Sequence, residues 1–79
     1  MKFSITVTLK KDVLDPQGKV IQNTLVAMGI NELKSIRQGK HFEVEINEKD
    51  ESVAQNKIEK MCKKLLVNLI IEDYKINKL

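Results

Sequence analysis

The chain opens on a strict alternation, with apolar Phe3, Ile5, Val7 and Leu9 set between polar Lys2, Ser4, Thr6 and Thr8. A period of two predicts a strand with one apolar face and one hydroxyl-rich face. After a short connection, Asp15-Pro16-Gln17-Gly18 reads as a helix start. Asp15 suits the N-cap, where a carboxylate accepts from the free amides of the first turn, and Pro16 suits the next position, which needs no amide hydrogen. Val20, Ile21, Leu25 and Met28 then share a stripe, and Gly29 is a left-handed stop.

Leu33 to Arg37 and His41 to Ile46 read as two strands around Gln38-Gly39-Lys40, a hairpin with its glycine at the turn. In the second of them Phe42, Val44 and Ile46 face the core, and His41, Glu43 and Glu45 face away. A second helix is predicted from about Asp50 to Val67, with Val53, Ala54, Ile58, Met61, Cys62, Leu65 and Leu66 recurring at steps of three and four. Its cap is either Asp50 or a capping box of Ser52 with Gln55. Leu69 to Leu79 reads as a last strand.

The predicted order is βαββαβ. This split-βαβ order, related to the ferredoxin-like arrangement, implies an α+β two-layer sandwich: an antiparallel sheet with both helices on one face. Residues 1–79 read as a single domain. The last strand adds one expectation, because its start is apolar on both sides, with Leu69 and Ile71 on one and Ile70, Tyr74 and Ile76 on the other. A two-layer domain covers one sheet face only. The second apolar face is therefore expected to meet another protein, first of all a second copy.

Composition sharpens this. A chain of 79 residues buries only about 60% of its unfolded surface, so its core is thin and association is a common remedy. With Phe3, Phe42 and Tyr74 as the only aromatics, aliphatic side chains must build that core. Fourteen basic and eleven acidic residues leave a net charge of +3, interspersed as in Glu48-Lys49-Asp50-Glu51, which is not the pattern of a nucleic-acid tail. Base-stacking aromatics are also scarce. One cysteine excludes an internal disulfide framework. The opening residues turn straight into a strand, and no apolar run approaches the roughly 20 residues of a membrane span. The expectation is a cytoplasmic protein without membrane or nucleic-acid partners.

No candidate chemistry assembles. Cys62 sits on the apolar stripe of the second helix, where a thiol acts as small core filler. His41, the only histidine, has Glu43 two residues on along the same face, but no second base or nucleophile. Glu43 and Glu45 stand about 7 Å apart on one strand face, as solvated carboxylates do. Glu72 and Asp73 point to opposite faces. The three glycines have turn or helix-end explanations, and no P-loop, dinucleotide or zinc motif occurs. The chain is expected to have no catalytic residues, no metal site and no cofactor of its own.

Several strings do point to a family. Val7-Thr8-Leu9-Lys10 followed by Val13-Leu14-Asp15-Pro16-Gln17-Gly18, then Met28-Gly29, Asn31-Glu32 and Ile36-Arg37-Gln38-Gly39-Lys40, resembles the PurS family. The likeness closes with Met61-Cys62-Lys63-Lys64-Leu65-Leu66-Val67-Asn68 and Ile71-Glu72-Asp73-Tyr74. These blocks cover nearly the whole chain in the family's order. His41 stands where the family commonly has tyrosine, and Lys75 where it has arginine.

PurS is the small subunit of phosphoribosylformylglycinamidine synthase in purine biosynthesis. The resemblance implies a non-catalytic bridge, a homodimer or tetramer, between the PurL synthetase, which binds ATP and magnesium, and the PurQ glutaminase, which releases ammonia. On that reading Ile70, Ile71, Tyr74 and Ile76 are self-interface candidates, and Arg37, Lys40, Glu72 and Asp73 are partner contacts. Asp15, Pro16, Gln17 and Gly18 form a helix-cap motif rather than a ligand site. Two other classes stay open: a dimeric regulatory module binding a small molecule, and a nucleic-acid binder.

Overall fold

In the computed structural model, which describes residues 1–79, the alternating start forms β1 (Lys2–Leu9) at the centre of a three-stranded sheet. The other elements are α1 (Pro16–Ala27), β2 (Gly39–Glu45), α2 (Glu51–Met61) with a π-helical turn at Cys62–Leu66, and β3 (Glu72–Lys78). The sheet order is β2-β1-β3, antiparallel throughout. The α+β class, the antiparallel sheet and the chain order of the elements agree with the pattern.

The core is one contiguous cluster of seven buried residues, Phe3, Ile5, Val7, Ala54, Ile58, Cys62 and Val67. It lies where α2 crosses β1. Asp50 caps α2, accepting from the amides of Ser52 at 2.9 Å and Val53 at 3.2 Å, which decides between the two predicted caps. The π-turn widens the last helical turn, as the Val67 amide bonding back to the Cys62 carbonyl at 3.0 Å shows. It swings Leu65 off the apolar stripe to 83% exposure and brings Val67 into the core instead.

Three expectations are corrected. First, Gln38-Gly39-Lys40 is not a hairpin turn. Gly29, at +100°, is the one residue with positive φ, and β2 begins at Gly39 against β1, where a Cβ would stand 2.5 Å from the Val7 carbonyl oxygen. Glycine here permits close approach and not a reversal. Residues 33–38 consequently have no ladder partner.

Second, the two helices do not share a sheet face. None of α1's apolar side chains joins the core, and Val20 and Met28 are 65% and 71% exposed. The Cα radius of gyration is 16.2 Å, with extents of 50 × 25 × 14 Å, against about 12 Å for a compact chain of this length. The excess is α1 and residues 33–38, which together project as an arm.

Third, the last strand starts at Glu72 and not at Leu69. The Asn68 side chain accepts from the Ile70 amide at 3.1 Å, and its carbonyl from the Ile71 and Glu72 amides. This makes 68–71 a turn. Tyr74 and Ile76 pair with Val7 and Ile5. Residues opposite each other in a ladder share a face, so both belong to the core layer under α2. The outer sheet face carries Thr6, Thr8, His41, Glu43, Glu45, Asp73, Lys75 and Asn77, and it is polar. The spare apolar sheet face does not exist; the uncovered apolar surface lies on the arm and, with Leu65, Leu69 and Ile70, just before β3.

Candidate subunit-docking surface

The Asp15-Pro16-Gln17-Gly18 motif is the joint between arm and sheet. One carboxylate oxygen of Asp15 accepts from the Gly18 amide at 2.9 Å, the N-cap bond expected. The other accepts from the Gln38 amide at 3.0 Å, which the sequence did not signal. These two amides, Gln38's foremost, hold the Asp15 carboxyl below its ordinary value near 3.8, and the Arg37 guanidinium adds to the effect. Gly18 is buried because the chain crosses itself there. A Cβ on it would sit 2.6 Å from Asp15 Oδ2 and 2.8 Å from the Ile36 carbonyl oxygen.

Arg37 continues the joint. Its Nη2 donates to the carbonyls of Lys10 at 3.0 Å and Val13 at 2.9 Å, tying residues 33–38 to the connection before α1. Lys40 Nζ stands 3.4 Å from Glu72 Oε2, across the end of β1. The Asn68 amide and this lysine keep Glu72 below the ordinary carboxylate range. Asp73 is exposed opposite Thr8 on the outer face. The structure thus gathers Arg37, Lys40, Glu72 and Asp73 at one end of the sheet. Arg37 is engaged by backbone carbonyls, which makes it a brace within the chain.

The four self-interface candidates separate. Ile70, at 85%, and Ile71, at 37%, are exposed in the 68–71 turn, near Leu65 and Leu69. Tyr74 and Ile76 pack on the core instead. Tyr74 also makes a polar contact that the pattern did not show, its hydroxyl donating to Glu59 Oε2 at 2.6 Å. That bond, then burial, pushes the phenol pKa up to about 12. The shift is upward, so the bond's contribution is complete below the ordinary value of 10.0 and fades as pH rises through about 12. Tyr74→Phe should cost about 1–2 kcal/mol in urea unfolding near neutral pH. Glu59→Gln should bring the phenol titration back towards 10.0 in an absorbance scan; an unmoved midpoint would mean the bond does not govern it.

The remaining chemistry-bearing side chains stay apart. Cys62 is buried, and burial pushes its thiol up, with Glu59 adding to the effect; a thiol so placed is a poor nucleophile. His41 is exposed on the outer face opposite Thr6. No three His, Cys, Asp or Glu side chains converge as metal ligands, and no helix is long and apolar enough to cross a membrane. The exposed apolar surface lies on and beside the braced arm, at Leu14, Val20 and Met28, and before β3 at Leu65, Leu69 and Ile70.

Several known proteins are similar to this chain in both sequence and shape. The family model for PurS, phosphoribosylformylglycinamidine (FGAM) synthase, matches residues 2–79. Phosphoribosylformylglycinamidine synthase subunit PurS of Bacillus subtilis is 42% identical over 94% of this chain and 87% of its own length. The crystal structure of Methanocaldococcus jannaschii PurS, one of the subunits of formylglycinamide ribonucleotide amidotransferase in the purine biosynthetic pathway, is 39% identical. It superposes with a TM-score of 0.85 over 96% of this chain and 92% of that one. A chain in the structure of PurLQS from Thermotoga maritima reaches a TM-score of 0.92 at 32% identity, covering 99% of this chain and 95% of its own. An arm placed differently would not allow overlap of that extent, so the open shape recurs among these relatives. This chain belongs to the PurS family of FGAM synthase subunits.

Proposed function

We propose that this chain is the non-catalytic bridging subunit of an FGAM synthase in purine biosynthesis, working in the cytoplasm as a homodimer. It holds a PurL synthetase and a PurQ glutaminase together. The observation that carries this reading is the near-complete overlap, arm included, with a chain of the PurLQS assembly. On this reading ATP and magnesium belong to the synthetase partner.

A bridge has a physical purpose here. Ammonia released from glutamine becomes ammonium in water near neutral pH, and ammonium has no lone pair with which to attack. Subunits held in register enclose the transfer and keep the reactive form. In this chain the Lys40–Glu72 pair and Asp73 offer polar contacts to the large partners, Ile70 and Ile71 offer apolar ones to a second copy, and Arg37 sets the arm's angle. Mixed with PurL and PurQ, glutamine and Mg-ADP, the chain should co-elute with both in size-exclusion chromatography. Elution of the three proteins separately at every ratio would refute the bridge.

A further inference from the structure

The sheet ends on β3, and that edge is open. The Lys10 and Leu79 amides donate to the Ile71 and Lys2 carbonyls, each at 2.9 Å. Continuing the β1–β3 register sets Ile71 opposite Lys10 and Leu79 opposite Lys2, so both are hydrogen-bonded pairs. Such pairs alternate along an antiparallel ladder, and Asp73, Lys75 and Asn77 therefore also turn their backbone groups to β1. Tyr74, Ile76 and Lys78 turn theirs away, and β3 has β1 as its only neighbour. Three amides and three carbonyls face outward, spaced as a further strand would need them.

A helix stands over this edge. Glu59 Oε2 accepts from the Tyr74 hydroxyl at 2.6 Å, and Glu51 Oε2 lies 3.3 Å from Lys78 Nζ, so α2 and β3 run antiparallel. Gln55 is four residues from each glutamate, on the same helical stripe, which sets it level with Ile76. Strand edge and helix flank form the two sides of a groove. The flank carries two carboxylates and an amide, and against them the strand offers one cation, Lys78.

We propose that an extended segment of a partner protein lies in this groove and adds to the sheet along β3, antiparallel to it. Main-chain bonds to Tyr74, Ile76 and Lys78 hold the segment, as in other additions to a sheet edge. Its side chains are read on the helix side: an apolar one opposite Ile76, and a basic one opposite Tyr74 that reaches Glu59. A second copy does not suit the place. Pairing β3 with its own two-fold mate would bring two α2 flanks together at roughly 10 Å, the spacing of packed helices. Glu51 of each would then face Glu59 of the other. Lys75 and Lys78 further guard the edge against indiscriminate pairing. This attachment deepens the bridging role and rests on it, since the segment belongs to one of the two larger subunits.

Hydrogen exchange on the assembly with PurL and PurQ reads the edge directly. On assembly the amides of Tyr74, Ile76 and Lys78 should slow at least about 100-fold, as ladder amides do. Two variants read the charge of the groove. Gln55→Lys sets a cation where the basic side chain lies and should weaken assembly about 10-fold or more, whereas Gln55→Glu should assemble as tightly as the parent or more so. Lysine, glutamate and glutamine have similar helix propensities, so circular dichroism of both free variants should match the parent. Assembly that leaves the three amides exchanging as in the free chain would overturn the docked strand and leave the bridge standing. Amides already protected in the free chain would give the edge to a second copy and overturn the partner segment. Equal affinity of the two Gln55 variants would overturn its basic character. A parent chain that fails to assemble would overturn the bridge and the docked strand together.

Discussion

Gly18→Ala should destabilise this protein by about 2–3 kcal/mol, although glycine to alanine inside a helix ordinarily stabilises by roughly 1 kcal/mol. The reversal of sign comes from the joint. The added methyl falls 2.6 Å from the Asp15 carboxylate and 2.8 Å from the Ile36 carbonyl, far inside contact distance. The carboxylate can rotate away only by releasing the Gly18 and Gln38 amides that it now accepts from, and residues 33–38 can move only by leaving α1. Bonds to a charged acceptor are among the stronger ones. Asn23→Ala, an exposed change on the same helix, supplies the control and should be neutral or slightly stabilising. Urea melts of both variants, with circular dichroism as readout, check this. Equal stabilisation by the two would show that the crossing at Gly18 constrains nothing.

Ile58→Ala should cost more, about 3–4 kcal/mol, the usual range for emptying a core site of this size. Ile58 has no exposed surface and lies among only seven fully packed residues. A chain of 79 residues has in total about 4–12 kcal/mol of stability at typical per-residue values. The variant should thus lose between roughly a quarter and all of that stability unless a partner contributes. Lys60→Ala, two residues on and exposed, should stay within about 0.5 kcal/mol of the parent. A calorimetric scan that still shows one sharp transition for Ile58→Ala at the parent's temperature would contradict the packing described.

What the sequence made legible was local. The alternation from Phe3 to Leu9, the Asp15-Pro16 helix start and the Ala54–Ile58–Cys62 stripe each carry a period or a cap whose physics acts within a few residues. Three things escaped because they depend on distant parts of the chain. Gly39 could mark a turn or a close approach, and the Val7 carbonyl beneath it decides. The Leu69-Ile70-Ile71 run has no period, so it did not reveal which face Tyr74 and Ile76 would take. Asn68, well suited to an Asx turn, was the available signal that the strand starts later. The second role of Asp15, fastening Gln38 across 23 residues, had no local signature. The family was legible from whole strings, whereas the arm that sets the docking surface was not.

One comparison of nitrogen donors tests the bridging role most directly. A PurL synthetase and a PurQ glutaminase, supplied with ATP, magnesium and formylglycinamide ribonucleotide, are assayed with and without this chain, using either glutamine or ammonium salt. A bridge predicts that omitting the chain abolishes synthesis from glutamine and leaves synthesis from high ammonium largely intact, since the chemistry belongs to the synthetase. Loss of the ammonium-driven reaction to the same extent would place this chain in the chemistry itself. Glutamine-driven synthesis at full rate without it would remove the bridge altogether.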